Sequence, residues 1–337
     1  MITIGQLGCG YWGPNLLRNF LKIDDVHQIF VNDTNEEMLT KIKSEFISIE
    51  TGLSTNDIIE SKKINAIVIA LPAALHYEYT KKALLADKHV LVEKPLSMKS
   101  DESLELIRMA KEKNKVLMVG HTFLYNSAVR KAKEYIDSGE LGDIYYIFSQ
   151  RLNLGRVRQD INAMWNLAPH DISIINYWLG ETPSNVMAKG VSFLQEGIED
   201  LVFIHLDFPS GKSAHIHVTW LDPLKTRKMV IVGSKKMLVY DDVSTDSKIM
   251  ILDKGIDKSL KENFEHEIYD YALFQLKNRI GDILIPHFNF DEPLKSECKH
   301  FVDCIINGKN PLTDGENGLE VVKVLEAAQK HLDAQPK

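Results

Sequence analysis

Short runs of β-branched and apolar residues, ITIGQLG, HQIFVND, NAIVIALP, HVLVEKP and VLMVG, recur through residues 1–120, separated by amphipathic stretches such as SDESLELIRMAKEKN. Strands apolar on both faces need cover on both, and strands alternating with helices pair in parallel through right-handed crossovers. Residues 1–120 are therefore expected to form an α/β, doubly wound parallel sheet. After NSAVRKAKEYIDSGELGD, which reads as a helix ending near Gly139, the rhythm changes. IYYIFSQRLNL, SNVMAKGVSFL, DLVFIHLDF, SAHIHVTWL and RKMVIVG follow, broken only by a helix from about Asn166 to Leu179. Strands joined by short turns argue for a large, mostly antiparallel open sheet, so 121–337 reads as an α+β domain. Residues 264–286 fit a helix by propensity and a strand by their β-branched end. Two helices, about Pro293 to Asn307 and Gly315 to Leu332, close the chain and can pack back on the first domain.

A chain of 337 residues is longer than one core usually supports, which agrees with two domains. The net charge of −7 gives no overall attraction to nucleic acid or anionic lipid, so neither is an expected partner. Cys9, Cys298 and Cys304 have neither CxxC spacing nor an even count, which suggests no disulfide framework and no thiolate metal site. No signal peptide or membrane span is evident, and the expected location is the cytoplasm.

IGQLGCGYWGPN sets Gly8, Gly10 and Gly13 in GxGxxG spacing, directly after a strand and before a helix whose first turn accepts Pro14. Gly8 permits the tight turn, Gly10 lets backbone approach a pyrophosphate, and Gly13 allows close helix-to-strand packing. The helix N-terminus offers its unpaired N–H groups to the phosphates. Asp33, at the end of the second strand, can accept from a ribose 2′-hydroxyl and repel a 2′-phosphate, favouring NAD over NADP. Its other reading is a cap for the helix that begins TNEEML. Strand, glycines and aspartate together predict a Rossmann-type domain that binds NAD.

HVLVEKPLSM raises a separate question, because a lysine ends a buried strand. Ligands of open parallel sheets lie beyond the carboxyl ends of the strands, where Lys94 and Ala70 to Pro72 both stand; otherwise such a lysine is a snorkelling surface residue. EKPLSM, the N-terminal GxGxxG, ALPAALHYEYTKKALLADKHVLVEKP and NLAPHDISIINYWLG resemble the glucose-fructose oxidoreductase, inositol dehydrogenase and rhizopine catabolism (Gfo/Idh/MocA) family of sugar oxidoreductases. ELGDI and TDGENGLEVV extend the resemblance over nearly the whole chain. The resemblance implies that Lys94 points toward the nicotinamide and the reacting hydroxyl, and that the Lys94–Pro95 bond is cis. It also implies that NAD lies against Gly8, Gly10, Tyr11, Trp12, Gly13, Asp33, Leu71, Pro72, His76, Glu93 and Lys94. Glu93 by itself reads as structural, hydrogen-bonding nearby backbone.

In that family an aspartate followed four residues later by a histidine forms the second catalytic element. The matching positions here are Asn166 and His170, one helical turn apart. Asn166 reads equally as a helix N-cap, with Pro169 in the first turn. Oxidising a secondary alcohol by hydride transfer needs a base for the hydroxyl proton and positive charge near the developing alkoxide. An imidazole, with an ordinary pKa of about 6.5, suits the base role, and a lysine suits charge stabilisation. Asn166 cannot ionise but can orient His170, and the proton goes to either Lys94 or His170.

FSQRLNLGRVRQDINAMW brings Arg151, Arg156 and Arg158 close in sequence, either as forks for substrate phosphate or as a solvated basic loop. Tyr125 and Trp165 read either as packing on a sugar or as core. GYWGPNLLRNF, GHTFLYN and MWNLAPHDISI are similar to a bacterial branch associated with surface-polysaccharide and lipid A sugar synthesis. That likeness implies oxidation at C3 of UDP-N-acetylglucosamine, with a pyridoxal-phosphate aminotransferase downstream. An inositol or a free or phosphorylated hexose is the rival substrate, and a non-catalytic NAD and sugar sensor is a different class again. His215 and His217 share a strand face, but no acidic or thiol partner is placed beside them and no metal is expected. A sheet with helices on one side leaves a broad face for another subunit, so a homodimer or homotetramer is expected.

Overall fold

The structure, a computed structural model, describes all residues except Arg156, 257–277 and 336–337. It divides into two compact units, Met1–Asn126 with Asp291–Ala327, and Ser127–Phe290 with Ala328–Lys337. The first unit thus takes in 291–327, the stretch whose helices the sequence allows to pack back.

In the first unit β1 (Ile2–Leu7), β2 (Val26–Asn32), β3 (Ala66–Ile69), β4 (His89–Glu93) and β5 (Leu117–Gly120) form a parallel sheet in the order β2-β1-β3-β4-β5. Every residue of β1, β3 and β5 is buried, as strands covered on both faces must be. One face is covered by α1 (Gly13–Phe20), α2 (Glu36–Glu45) and α8 (Pro293–Asn307), whose Leu16, Leu17, Phe20, Ile42, Leu294 and Phe301 share one apolar cluster. Phe20 meets Phe301 edge to face at 6.3 Å. The opposite face is covered by α3 (Thr55–Glu60), α4 (His76–Leu85), α5 (Ser100–Glu112) and the first part of α9 (Gly315–Asp333), through Ile58, Leu84, Leu106, Leu319 and Val322. Each fully buried Leu or Phe contributes about 1.5–3 kcal/mol, which is what binds the two late helices to the early sheet.

The second unit holds an eight-stranded sheet: β6 (Ile144–Leu152), β7 (Asn185–Val191), β8 (Leu201–Asp207), β9 (Ser213–Thr219), β10 (Thr226–Gly233), β11 (Met237–Asp241), β12 (Ile249–Ile256) and β13 (Asn278–Leu284). Its order is β13-β12-β11-β10-β6-β9-β8-β7, antiparallel except for the parallel pair β6 and β9. The end of the ambiguous 264–286 stretch is therefore strand, while its part up to 277 lies outside the described residues. Alternation sends Val202, Ile204 and Leu206 of β8 inward, on the side of α7 (Ala163–Leu179), which contacts β6, β8 and β9. α6 (Ser127–Asp137) packs on α7. Phe203, His205, Met187, His215 and His217 point the other way and line a shallow hollow with Phe148. Phe203 is 48% exposed there and Met187 44%. None of the described helices is long and apolar enough to cross a membrane.

Two local expectations are corrected. The helix expected from Asn166 starts at Ala163, and its N-cap is Asn162, whose side chain accepts from the Trp165 amide at 3.0 Å. Asn166 is therefore no cap, and Pro169 sits in the second turn, where it supplies no N–H to the Trp165 carbonyl. Asp33 is likewise not the cap of α2; Asn35 is, accepting from Met38 N.

Candidate active site

In a parallel sheet all carboxyl ends share one edge, and here the strand order reverses between β1 and β3. Such a reversal opens a crevice at that edge. The glycine turn leaves β1 at this place. Gly8 has φ +96, and a Cβ there would lie 2.4 Å from the Ala70 carbonyl oxygen; a Cβ at Gly13 would lie 2.6 Å from the Gly8 oxygen. At Gly10 a Cβ would meet nothing within 4 Å. The first and third glycines are thus demanded by the chain, and the second borders open space. Tyr11 is 83% exposed at the tip, while Leu71 and Pro72 are accessible at the end of β3.

Asp33 follows β2 at the same edge. Its Oδ2 accepts from the Cys9 amide at 2.6 Å and its Oδ1 from the Asn35 amide at 2.9 Å. The carboxylate is held against the glycine turn, and a carboxylate has about four lone-pair sites, enough to accept ribose hydroxyls as well. Open space over Gly10, a helix N-terminus without a side-chain cap at Trp12, and this fixed carboxylate fit a dinucleotide.

Lys94 comes one residue past β4, and the Lys94–Pro95 bond is cis. His76 is buried beneath it, with Nδ1 2.6 Å from the Pro95 carbonyl oxygen and Nε2 2.8 Å from that of Leu71. Burial pulls its pKa below the usual imidazole value, so a neutral ring donates to one carbonyl only. His76 is buried, in reach of both loops, and donates to one of them. Glu93 accepts from its neighbour's amide, Lys94 N, and from the Trp12 indole, and it is pushed up to about 7 chiefly by desolvation.

In the second unit Asn166 and His170 lie one turn apart on α7 and are half-buried, whereas Ala163, Met164, Trp165, Ala168 and Pro169 are buried. With Leu167 they form the accessible stripe of an otherwise covered segment. Arg151 is not available as a phosphate fork: it is buried, with Nε 2.6 Å from Asp171 Oδ2 and Nη2 3.3 Å from Oδ1. Arg158 makes a similar two-point contact with Asp160, at 2.8 and 2.6 Å. Arg156 lies outside the described residues. Trp165 is buried and its indole donates to Gln329 at 3.0 Å. Tyr125, in the first unit, is buried with its hydroxyl 3.1 Å from Thr313 Oγ1. Both aromatics are core residues, not platforms for a sugar.

Sequence reasoning missed His121 and Glu297, each fully buried in the first unit. Nothing local in GHTFLYN marks its histidine as one whose Nδ1 lies 2.7 Å from Asn317 Oδ1. Among the described residues no group of three or more His, Cys, Asp or Glu could hold a metal ion.

The glycine turn and the Asp33 carboxylate define a dinucleotide-binding domain, and comparison makes it that of an NAD-binding oxidoreductase. Residues 2–121 match the model of an oxidoreductase family with an NAD-binding Rossmann fold, and residues 129–239 match the GFO/IDH/MocA C-terminal domain. The chain belongs to the Gfo/Idh/MocA oxidoreductase family. An uncharacterized oxidoreductase of Streptococcus pneumoniae is 25% identical over 229 residues, 64% of this chain and 61% of its own length. Myo-inositol 2-dehydrogenase of Thermotoga maritima is 23% identical over 347 residues, 98% of this chain and 96% of its own. The solved structure of UDP-N-acetylglucosamine 3-dehydrogenase from Acidithiobacillus ferrooxidans shares the fold with a TM-score of 0.80 at 20% identity, covering 99% of this chain and 98% of that one.

Proposed function

We propose that the protein oxidises a secondary hydroxyl of a sugar or polyol to a ketone. The observation that carries this reading is Lys94, one residue past β4, on the sheet edge shared with the glycine turn and Asp33. NAD held at the glycine turn and Asp33 would supply the hydride acceptor for the carbinol carbon. Asp33 accepts from a ribose hydroxyl and disfavours a 2′-phosphate. Lys94 hydrogen-bonds the reacting oxygen and stabilises its negative charge. His170 takes the hydroxyl proton, and Asn166, one turn earlier, orients it.

For the substrate we propose a nucleotide-linked sugar oxidised at C3, UDP-N-acetylglucosamine first. Its support is the resemblance carried by GYWGPNLLRNF, GHTFLYN and MWNLAPHDISI. An inositol or a free or phosphorylated hexose is the second reading. Its unphosphorylated members, inositols and free hexoses, are favoured by Arg151 and Arg158, which already carry Asp171 and Asp160. We also propose self-association through the Phe203 and Met187 face, and a cytoplasmic setting that keeps the three free cysteines reduced. A monomer by light scattering would overturn the first of these.

The decisive assay is NADH formation from NAD with UDP-sugars, free hexoses, hexose phosphates and inositols, with hydroxylamine to trap the ketone. Turnover confined to a UDP-sugar and lost in Lys94→Ala is the expected result. Turnover of free sugars or inositols alone selects the second reading. Silence with every compound despite NAD binding overturns the catalytic reading in favour of a sensor.

A further inference from the structure

The turn of α7 that carries His170 is weakened from within. Pro169 supplies no N–H to the Trp165 carbonyl, and its ring crowds that carbonyl. Three residues past His170, Ser173 Oγ donates to the His170 carbonyl at 2.8 Å, a back-bond of the kind that bends helices. Backbone bonds alone therefore hold the direction of this turn loosely. The next residue, Asp171, is 1% exposed and is tied to β6 by three hydrogen bonds. Its Oδ1 accepts from Ser149 Oγ at 2.8 Å and from Arg151 Nη2 at 3.3 Å, and its Oδ2 accepts from Arg151 Nε at 2.6 Å. Ile147, Ser149 and Arg151 follow one another on the inward face of β6, all three buried. A face that could carry apolar residues throughout carries a hydroxyl and a guanidinium against one carboxylate.

We propose that Asp171 is a positioning residue: its two-point ion pair with Arg151, completed by Ser149, sets the rotation of α7 at His170 and so aims the imidazole. This rests on the reading that His170 takes the hydroxyl proton. Anchoring strength alone does not account for the pair. A buried ion pair replaced by apolar side chains of similar volume often leaves a protein as stable or more so. What the pair supplies beyond apolar packing is direction, since a guanidinium and a carboxylate meet side on in a defined geometry. Successive residues of a helix are turned about 100° from each other. A fixed Asp171 therefore fixes the azimuth of His170, and with it that of Asn166 one turn earlier. Arg227, the register partner of Arg151 on β10, contacts Asp242 at 3.3 Å, so each arginine of this cross-strand pair meets a carboxylate.

The test compares the wild type with the double variant Arg151→Met and Asp171→Leu, which exchanges the pair for apolar groups. Urea denaturation should show that the double variant keeps most of its stability. Its kcat should fall about ten- to a hundredfold, as for a misplaced reacting group, while KM and the Kd for NAD change less than about twofold. A wild-type kcat in a stable double variant would reduce Asp171 to packing and overturn the proposal. A readout independent of turnover is the Cε1–H nuclear magnetic resonance signal of His170, assigned by its loss in His170→Asn. It should be a single sharp line in the wild type and broadened or split in the double variant, and an unchanged line overturns the proposal. If the double variant does not fold, Ser149→Ala, which removes one of the three bonds, is read by the same line with the same two outcomes. Wild-type turnover in His170→Asn would instead sink the base reading, and the line would still decide whether Asp171 positions the ring.

Discussion

The Cys9 amide donates to Asp33 Oδ2 at 2.6 Å, so one carboxylate joins the middle of the glycine turn to the end of β2. Asp33→Ala removes both this tie and the acceptor for a ribose hydroxyl. Hydrogen bonds to charged groups are worth about 1.5–3 kcal/mol, so the Kd for NAD should rise roughly 10- to 100-fold and the preference over NADP should shrink. Calorimetric titration with both dinucleotides checks this. An unchanged NAD to NADP ratio would remove Asp33 from ribose recognition.

Lys94 and His170 should separate binding from turnover. A group that acts on the proton or on the developing charge contributes about 100- to 10,000-fold to rate. Lys94→Ala and His170→Asn are each expected to lower kcat by a hundredfold or more while NAD affinity changes little. Steady-state kinetics on the best substrate, with cofactor binding measured separately, gives the outcome. Near wild-type turnover in His170→Asn would move the base role to Lys94.

Arg151 and Asp171 form a buried ion pair, with side chains 7% and 2% exposed. Removing one partner of such a pair costs about 3–5 kcal/mol, because the other is left charged and dry. Arg151→Met should destabilise by that amount, and Arg151→Met with Asp171→Leu should recover much of the loss. Urea denaturation reads both. A stable Arg151→Met protein with a raised substrate KM would return Arg151 to substrate binding.

His121 sets an acid limit on stability. Burial lowers its pKa from 6.5 to about 4, so between those values the unfolded chain holds the extra proton. Its contribution is fully present above 6.5 and is lost as pH falls toward about 4, amounting to roughly 3 kcal/mol for a shift of that size. Glu93, raised from 4.5 to about 7, acts with the opposite sign, because its stabilisation is lost as pH rises across that window. Comparing His121→Gln with the wild type isolates the histidine. Stability of the variant should fall less on acidification, and parallel curves would reject the assignment.

Some of this architecture can be read directly from the chain. The Gly8, Gly10 and Gly13 spacing, Asp33 and the strand-end Lys94 are set by backbone geometry within a few residues, and the alternation of apolar runs is set by burial on two faces. These signals are local, so the sequence alone determined the parallel sheet, the dinucleotide turn and the edge at which Lys94 stands. Other features needed the folded chain. Asn162 rather than Asn166 caps α7 while its amide donates to Glu199 and Gln329. Arg151 finds Asp171, Trp165 finds Gln329, and Glu297 finds Thr122. Each pairing joins residues far apart in the chain. Which polar group is left without water, and which distant side chain then satisfies it, depends on how helices and strands pack, so only the tertiary structure could turn expected ligand contacts into core contacts.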